Sequence, residues 1–128
     1  MIFRFTGVEI IEAATKRLEL YNAKIAKLEA SKAKTEAQED DLIKRKKEYF
    51  EKAEAFLNKP FIIRLLLKAP ERPDWFFEET NIVTSKYITE SVISYHNSKT
   101  AMLENIIRLT RPGDTYELTK EEAGDIGL

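Results

Sequence analysis

The sequence contains no cysteine, which removes disulfides, thiolate nucleophiles and cysteine metal ligands together and suits a reducing compartment. Histidine is almost as scarce. His96 is the only one, so two-histidine zinc motifs are excluded within one chain and no catalytic triad can be read from spacing. Gly7, Gly113, Gly124 and Gly127 are the only glycines, and they form neither a dinucleotide-binding nor a Walker-type phosphate loop. Charge of one sign is also missing: 21 Lys and Arg against 22 Asp and Glu leave a formal net charge of −1, without the global basic field that draws nucleic acid or an acidic membrane. No window approaches the roughly 18–20 apolar residues of a membrane span, and the first residues lack the apolar run of a secretory signal. The expectation is a cytoplasmic, non-enzymatic protein without catalytic residues, cofactor or metal, and without a membrane partner.

What is present is 43% hydrophobic residues, enough to build a core, in a chain whose length fits a single domain over residues 1–128. Its longest uninterrupted feature is 7–59, free of proline and of any glycine after Gly7. Thr6 and Glu9 have the spacing of a capping box at its start. From there Ile11, Ala14, Leu18, Tyr21, Ile25 and Leu28 recur at alternating intervals of three and four, a helical seam of coiled-coil type. The next seam positions, Lys32 and Thr35, are polar, and Thr35 with Gln38 repeats the capping-box spacing, so a turn is expected near 31–37. A second arm then carries Leu42, Ile43, Tyr49, Phe50, Ala53, Phe56 and Leu57 on a broader apolar face. Two arms of this kind make an antiparallel hairpin. The competing arrangement is one continuous helix, tolerated by the alanine, lysine and glutamate of 30–41, which would need a second chain to cover its stripe.

Pro60 ends this region and opens a C-terminal helical half, residues 60–128. Its first stretch, Phe61 to Leu67, is the most apolar in the chain and reads as a buried short helix, with a central strand as the alternative. Asp74 is placed to cap a turn carrying Trp75, Phe76 and Phe77. A longer helix is expected from about Thr84, with a seam of Ile88, Val92, Tyr95, Lys99, Met102, Ile106 and Leu109. The β-branched residues of 82–93 leave a strand open there, and His96, Asn97 and Ser98 could divide the helix. Arg111-Pro112-Gly113-Asp114 is a turn, after which Thr115–Leu118 forms a short strand able to pair with Ile2–Phe5. Thr119 and Glu122 cap a final helical turn. The fold class is thus mainly α: a long antiparallel helical hairpin, further C-terminal helices, and a small two-stranded pairing of the terminal segments.

For function, Lys44-Arg45-Lys46-Lys47 is the one dense basic cluster, but Asp40, Asp41, Glu48 and Glu51 surround it, which points to an internally paired surface and disfavours nucleic acid. Three consecutive aromatics, Trp75, Phe76 and Phe77, beside Arg72 have the composition of an interaction hot spot or a stacking platform, or else of a small aromatic core. The leading expectation is an interaction module, an adaptor or inhibitor. It would self-associate through Ile11, Leu18, Tyr21, Ile25, Leu28, Tyr49 and Phe56 and present the aromatic segment or the C-terminal helices to another protein. The alternative is an oligomeric binder of a nucleotide-like anion, with Arg64, Arg72, Arg108 or Arg111 on phosphate and Trp75 or Tyr95 stacking. Nucleic-acid binding comes third.

Overall fold

The computed structural model describes residues 1–128. In order it contains β1 (Ile2–Thr6), α1 (Gly7–Leu57), α2 (Phe61–Leu66), α3 (Phe76–Leu109), β2 (Thr115–Thr119) and α4 (Lys120–Ile126). The mainly helical class, the helical hairpin and the terminal strand pair are all present. The hairpin, however, is made of α1 against α3, not of two arms within 7–59. No turn interrupts α1 at 31–37.

The reason lies in Thr35. Its hydroxyl does not receive an N–H from the following turn, as a cap would. Instead it donates to the carbonyl of Ser31 at 3.1 Å, the back-bond a threonine makes inside a helix. Thr35 is buried, and the less exposed positions of α1 continue through it: Leu28, Lys32, Thr35, Glu39, Leu42, Lys46, Tyr49, Ala53 and Phe56. The intervals of four and three never fail. Only their apolarity does.

Contacts divide the chain into two compact units, Met1–Ala30 with Thr89–Leu128, and Ser31–Ile88. In the first, Ile10 and Ala14 of α1 pack with Leu103 of α3 and Ile126 of α4, bordered by Phe5, Leu18, Tyr21, Met102, Ile106, Tyr116 and Leu118. Strand β1 pairs antiparallel with β2, Ile2 opposite Thr119 and Thr6 opposite Thr115. Tyr116 and Leu118 alternate inward from β2, as a half-buried strand requires. The capping box at α4 is complete: Glu122 N–H donates to Thr119 Oγ1 at 3.2 Å and Thr119 N–H to Glu122 Oε1 at 3.0 Å. The Thr119 backbone bond, followed by its side chain, holds the Glu122 carboxyl below the usual range. Gly127, at φ 97°, closes α4 in the left-handed conformation that favours glycine. At the start of α1, Glu9 N–H donates to Thr6 Oγ1 at 3.2 Å.

In the second unit, Leu42 of α1 packs with Ile82 of α3 and with Trp75, and Tyr49 borders the cluster. Glu39 meets Lys86 at 3.3 Å, and Lys46 meets Glu79. Higher numbers on α1 therefore face lower numbers on α3, an antiparallel pair. Asp74 accepts the Phe76 N–H at 3.0 Å and caps α3, which runs unbroken through 82–93 and through His96. The less exposed stripe of α3 overlaps the expected one at Val92, Lys99, Met102 and Ile106. Ile88, Tyr95 and Leu109 are exposed, whereas Ile82, Thr89, Thr100 and Leu103 are buried. Polar side chains occupy part of the real seam, so apolarity alone located only part of it. Finally, 61–67 is helical over Phe61–Leu66 but contains no buried residue, against the expectation of a buried segment.

Two substitutions check this architecture. Thr35→Pro removes a helical hydrogen bond and should cost about 3 kcal/mol or more in urea unfolding followed by helical circular dichroism; a turn at that point would tolerate it. Gly7 is buried where the chain passes from β1 to α1, its N–H donating to Asp114 O at 2.8 Å. A Cβ there would lie 1.9 Å from the backbone oxygen of Arg111. Gly7→Ala must displace that backbone and is expected to lose about 1–3 kcal/mol in the same measurement.

Candidate functional site

The candidate residues separate between the two units. Arg64, Arg72, Trp75, Phe76 and Phe77 belong to Ser31–Ile88, while Tyr95, Arg108 and Arg111 belong to the other. Tyr95 is exposed beside His96, with ring centroids 5.6 Å apart. Arg108 donates to Asn105 Oδ1 at 3.1 Å. Arg111 contributes its backbone N–H to the Tyr116 hydroxyl at 2.8 Å. An apolar groove of about 670 Å³ in this unit is lined by Met102, Ile106, Leu109, Tyr116, Leu118 and neighbours, but its charged members are Glu122 and Asp125. An arginine-lined phosphate site is not assembled there.

In the second unit the three aromatics split by role. Trp75 is 8% exposed, set edge-on to Tyr49 at 5.6 Å between ring centroids and covered by the Lys46 ammonium at 5.5 Å. It is core, and its faces are occupied, so it is not a free stacking platform. Phe76 and Phe77 are 65% and 73% exposed. A cleft of about 570 Å³ beside them contains Lys46, Arg72, Asp74 and Glu79. Lys46 is bound to Glu79 and Asp74 to the α3 cap, which leaves Arg72 as the one charge there outside these pairs.

Two members of the basic cluster, Arg45 and Lys46, are likewise consumed in pairing. Arg45 bridges Asp41 at 2.9 Å and Glu78, and its pKa is raised first by the Glu78 hydrogen bond. Lys46 is the seam residue already described. The self-association candidates Ile11, Leu18, Tyr21, Ile25, Leu28, Tyr49 and Phe56 are all half-buried; Leu18, Tyr21 and Tyr49 border the two core clusters.

What remains open is α2. Phe61, Ile62, Ile63, Leu65, Leu66 and Leu67 are 66, 72, 44, 68, 81 and 45% exposed. At about 200 Å² for each fully exposed large side chain, the run presents roughly 700 Å² of apolar surface, above the 300–600 Å² that is usual for the largest patch on a monomer. Arg64, the one polar residue within it, lays its guanidinium 5.9 Å from the Phe61 ring, and its Nε is buried without a hydrogen-bond partner. Alongside lies a cleft of about 390 Å³ lined by Lys52, Lys59 and Lys68 with Ala55, Phe56, Leu67 and Pro70. These three lysines were not singled out by sequence reasoning, although Lys59 and Lys68 bracket the apolar run.

No group of three or more His, Cys, Asp or Glu side chains is placed to hold a metal ion, and no helix is long and apolar enough to cross a membrane. Compared with protein-family models, curated proteins and solved structures, the chain matches none.

The split between the aromatics is measurable. Trp75→Ala should lose about 3–5 kcal/mol in urea unfolding, as buried large aromatics do, whereas Phe77→Ala should stay within about 0.5 kcal/mol of the parent, as exposed positions do.

Proposed function

We propose that the chain is a non-enzymatic protein-interaction module whose docking surface is α2. One observation carries this reading: the most apolar run of the sequence is helical and faces solvent, while Leu42, Trp75 and Ile82 are spent on the core. An apolar helix left uncovered adds nothing to folding. Its area is close to the roughly 800 Å² per partner of a standard protein interface. Burial of several leucine, isoleucine and phenylalanine side chains supplies association free energy without directional chemistry, and Phe61 and Leu66 are the side chains a partner pocket would take up first.

The helical arms are not part of this proposal. Of their seam residues, Leu18, Tyr21 and Tyr49 border the two cores that α1 shares with α3, which leaves less of the stripe for a second chain. Adaptor and inhibitor remain the two roles such a surface serves.

The test separates docking from folding. A synthetic leucine-faced helical peptide with glutamine flanks, labelled for fluorescence anisotropy, should bind saturably. A double variant, Ile62→Ser with Leu66→Ser, removes six apolar carbons and should weaken it about tenfold or more, since about 1.4 kcal/mol, a factor of ten, is the worth of fewer than two buried methylenes. Because both side chains are mostly exposed, the midpoint of thermal unfolding should move by no more than about 2 °C. Unchanged binding in the variant would refute the assignment of α2.

A further inference from the structure

Resting on that docking role, we infer that the occupant of α2 is an acidic amphipathic helical segment of another protein. Charge decides it. Lys59 precedes α2 and Lys68 follows it, and the two converge with Lys52 on one cleft walled by Phe56, Leu67 and Pro70. Lys52 and Lys59 have no carboxylate in ion-pair range, and Lys68 has only Glu71 at 3.0 Å, both side chains more than four-fifths exposed. Such a pair is screened and weakly held. Arg64 within α2 has a ring beneath it and no carboxylate.

Covering the apolar run takes these cations out of water as well. A neutral occupant would leave them desolvated and unpaired, which is costly, and a basic one would add repulsion. Carboxylates at the margin of an apolar face satisfy both requirements: leucine-like side chains on α2, acidic side chains into the lysine cleft. A second copy meeting the same surface across a two-fold axis brings the same lysines toward one another. An anionic bilayer reads net charge over a broad area and is recognised by clusters of about four to eight cations. Residues 51–74 carry five Lys and Arg but also four Asp and Glu, so the attraction is confined to the cleft, at the scale of single carboxylates.

Two synthetic helical peptides with one identical leucine face, flanked by glutamate in one and lysine in the other, test this against the full chain by fluorescence anisotropy at low salt. The glutamate peptide should bind about tenfold tighter or more, with the preference shrinking as salt rises. Lys52→Gln, Lys59→Gln and Lys68→Gln together should level the two affinities while leaving the helical dichroism unchanged, since all three side chains are exposed. Equal binding of both peptides by the parent would overturn the acidic partner and leave the docking surface standing. Binding of neither would remove both. A dimer by light scattering that excludes the peptides, or co-sedimentation with phosphatidylcholine–phosphatidylserine vesicles while the peptides fail to bind, would assign α2 to a second copy or to a bilayer and overturn the inference.

Discussion

A 51-residue helix cannot hide a stripe of its own side chains, and everything else in this chain follows from how that stripe is covered. The cover is α3. Once α3 lies antiparallel on α1, Trp75 is carried into the cluster around Leu42 in one unit and Leu103 onto Ala14 in the other. The strand pair then needs only the Arg111–Asp114 turn to return β2 beside β1, and the capped helix α4 folds down over Ile10 through Ile126. The surface ion pair Arg4–Glu117, 76% and 57% exposed, adds at most about 1 kcal/mol. Packing along the seam does the holding.

Much of this was legible in the residues because it is local. Proline at 60, the Arg-Pro-Gly-Asp turn, the caps at Thr6 and Thr119 and the two short strands are each decided within a few residues, and each is where it was expected, although in β1 only Phe5 is half-buried. The long seam was not legible past Leu28. Its middle is built from Lys32, Thr35, Glu39 and Lys46 on one helix and Lys86 and Thr89 on the other, and a pattern read through apolarity takes polar members for a break. Threonine is the sharpest case. The same hydroxyl serves a helix start at Thr119 and a helix interior at Thr35, and which one is realised depends on what packs against it, a fact that three-residue spacing does not contain. On α3 the same blindness chose Ile88, Tyr95 and Leu109, which face solvent, in place of the buried Thr89 and Thr100.

The candidate site failed to be legible for the opposite reason. Hydrophobicity was taken to mean burial for Phe61–Leu67, and that inference ordinarily holds. Here the buried apolar side chains of α1 and α3, Leu42 and Ile82 in one unit and Ile10, Ala14 and Leu103 in the other, pack without any residue of 61–67. Aromatics drew attention to Trp75, which proved structural, while the lysines flanking the apolar run drew none. Exposure, rather than residue type, separates the part of this chain that holds it together from the part turned outward.

The seam pairs Glu39–Lys86 and Lys46–Glu79 are each separated by seven residues on both helices. Slide one helix along the other by a single heptad, and the apolar layers would still find partners. The charges would not. In one direction Glu39 would face Glu79; in the other Lys46 would face Lys86. An all-leucine seam would be indifferent to such a slip, whereas these two ion pairs turn one contact repulsive in each direction. The polar interruption that hid the helix from a reading of the sequence thus disfavours a one-heptad slip of the hairpin.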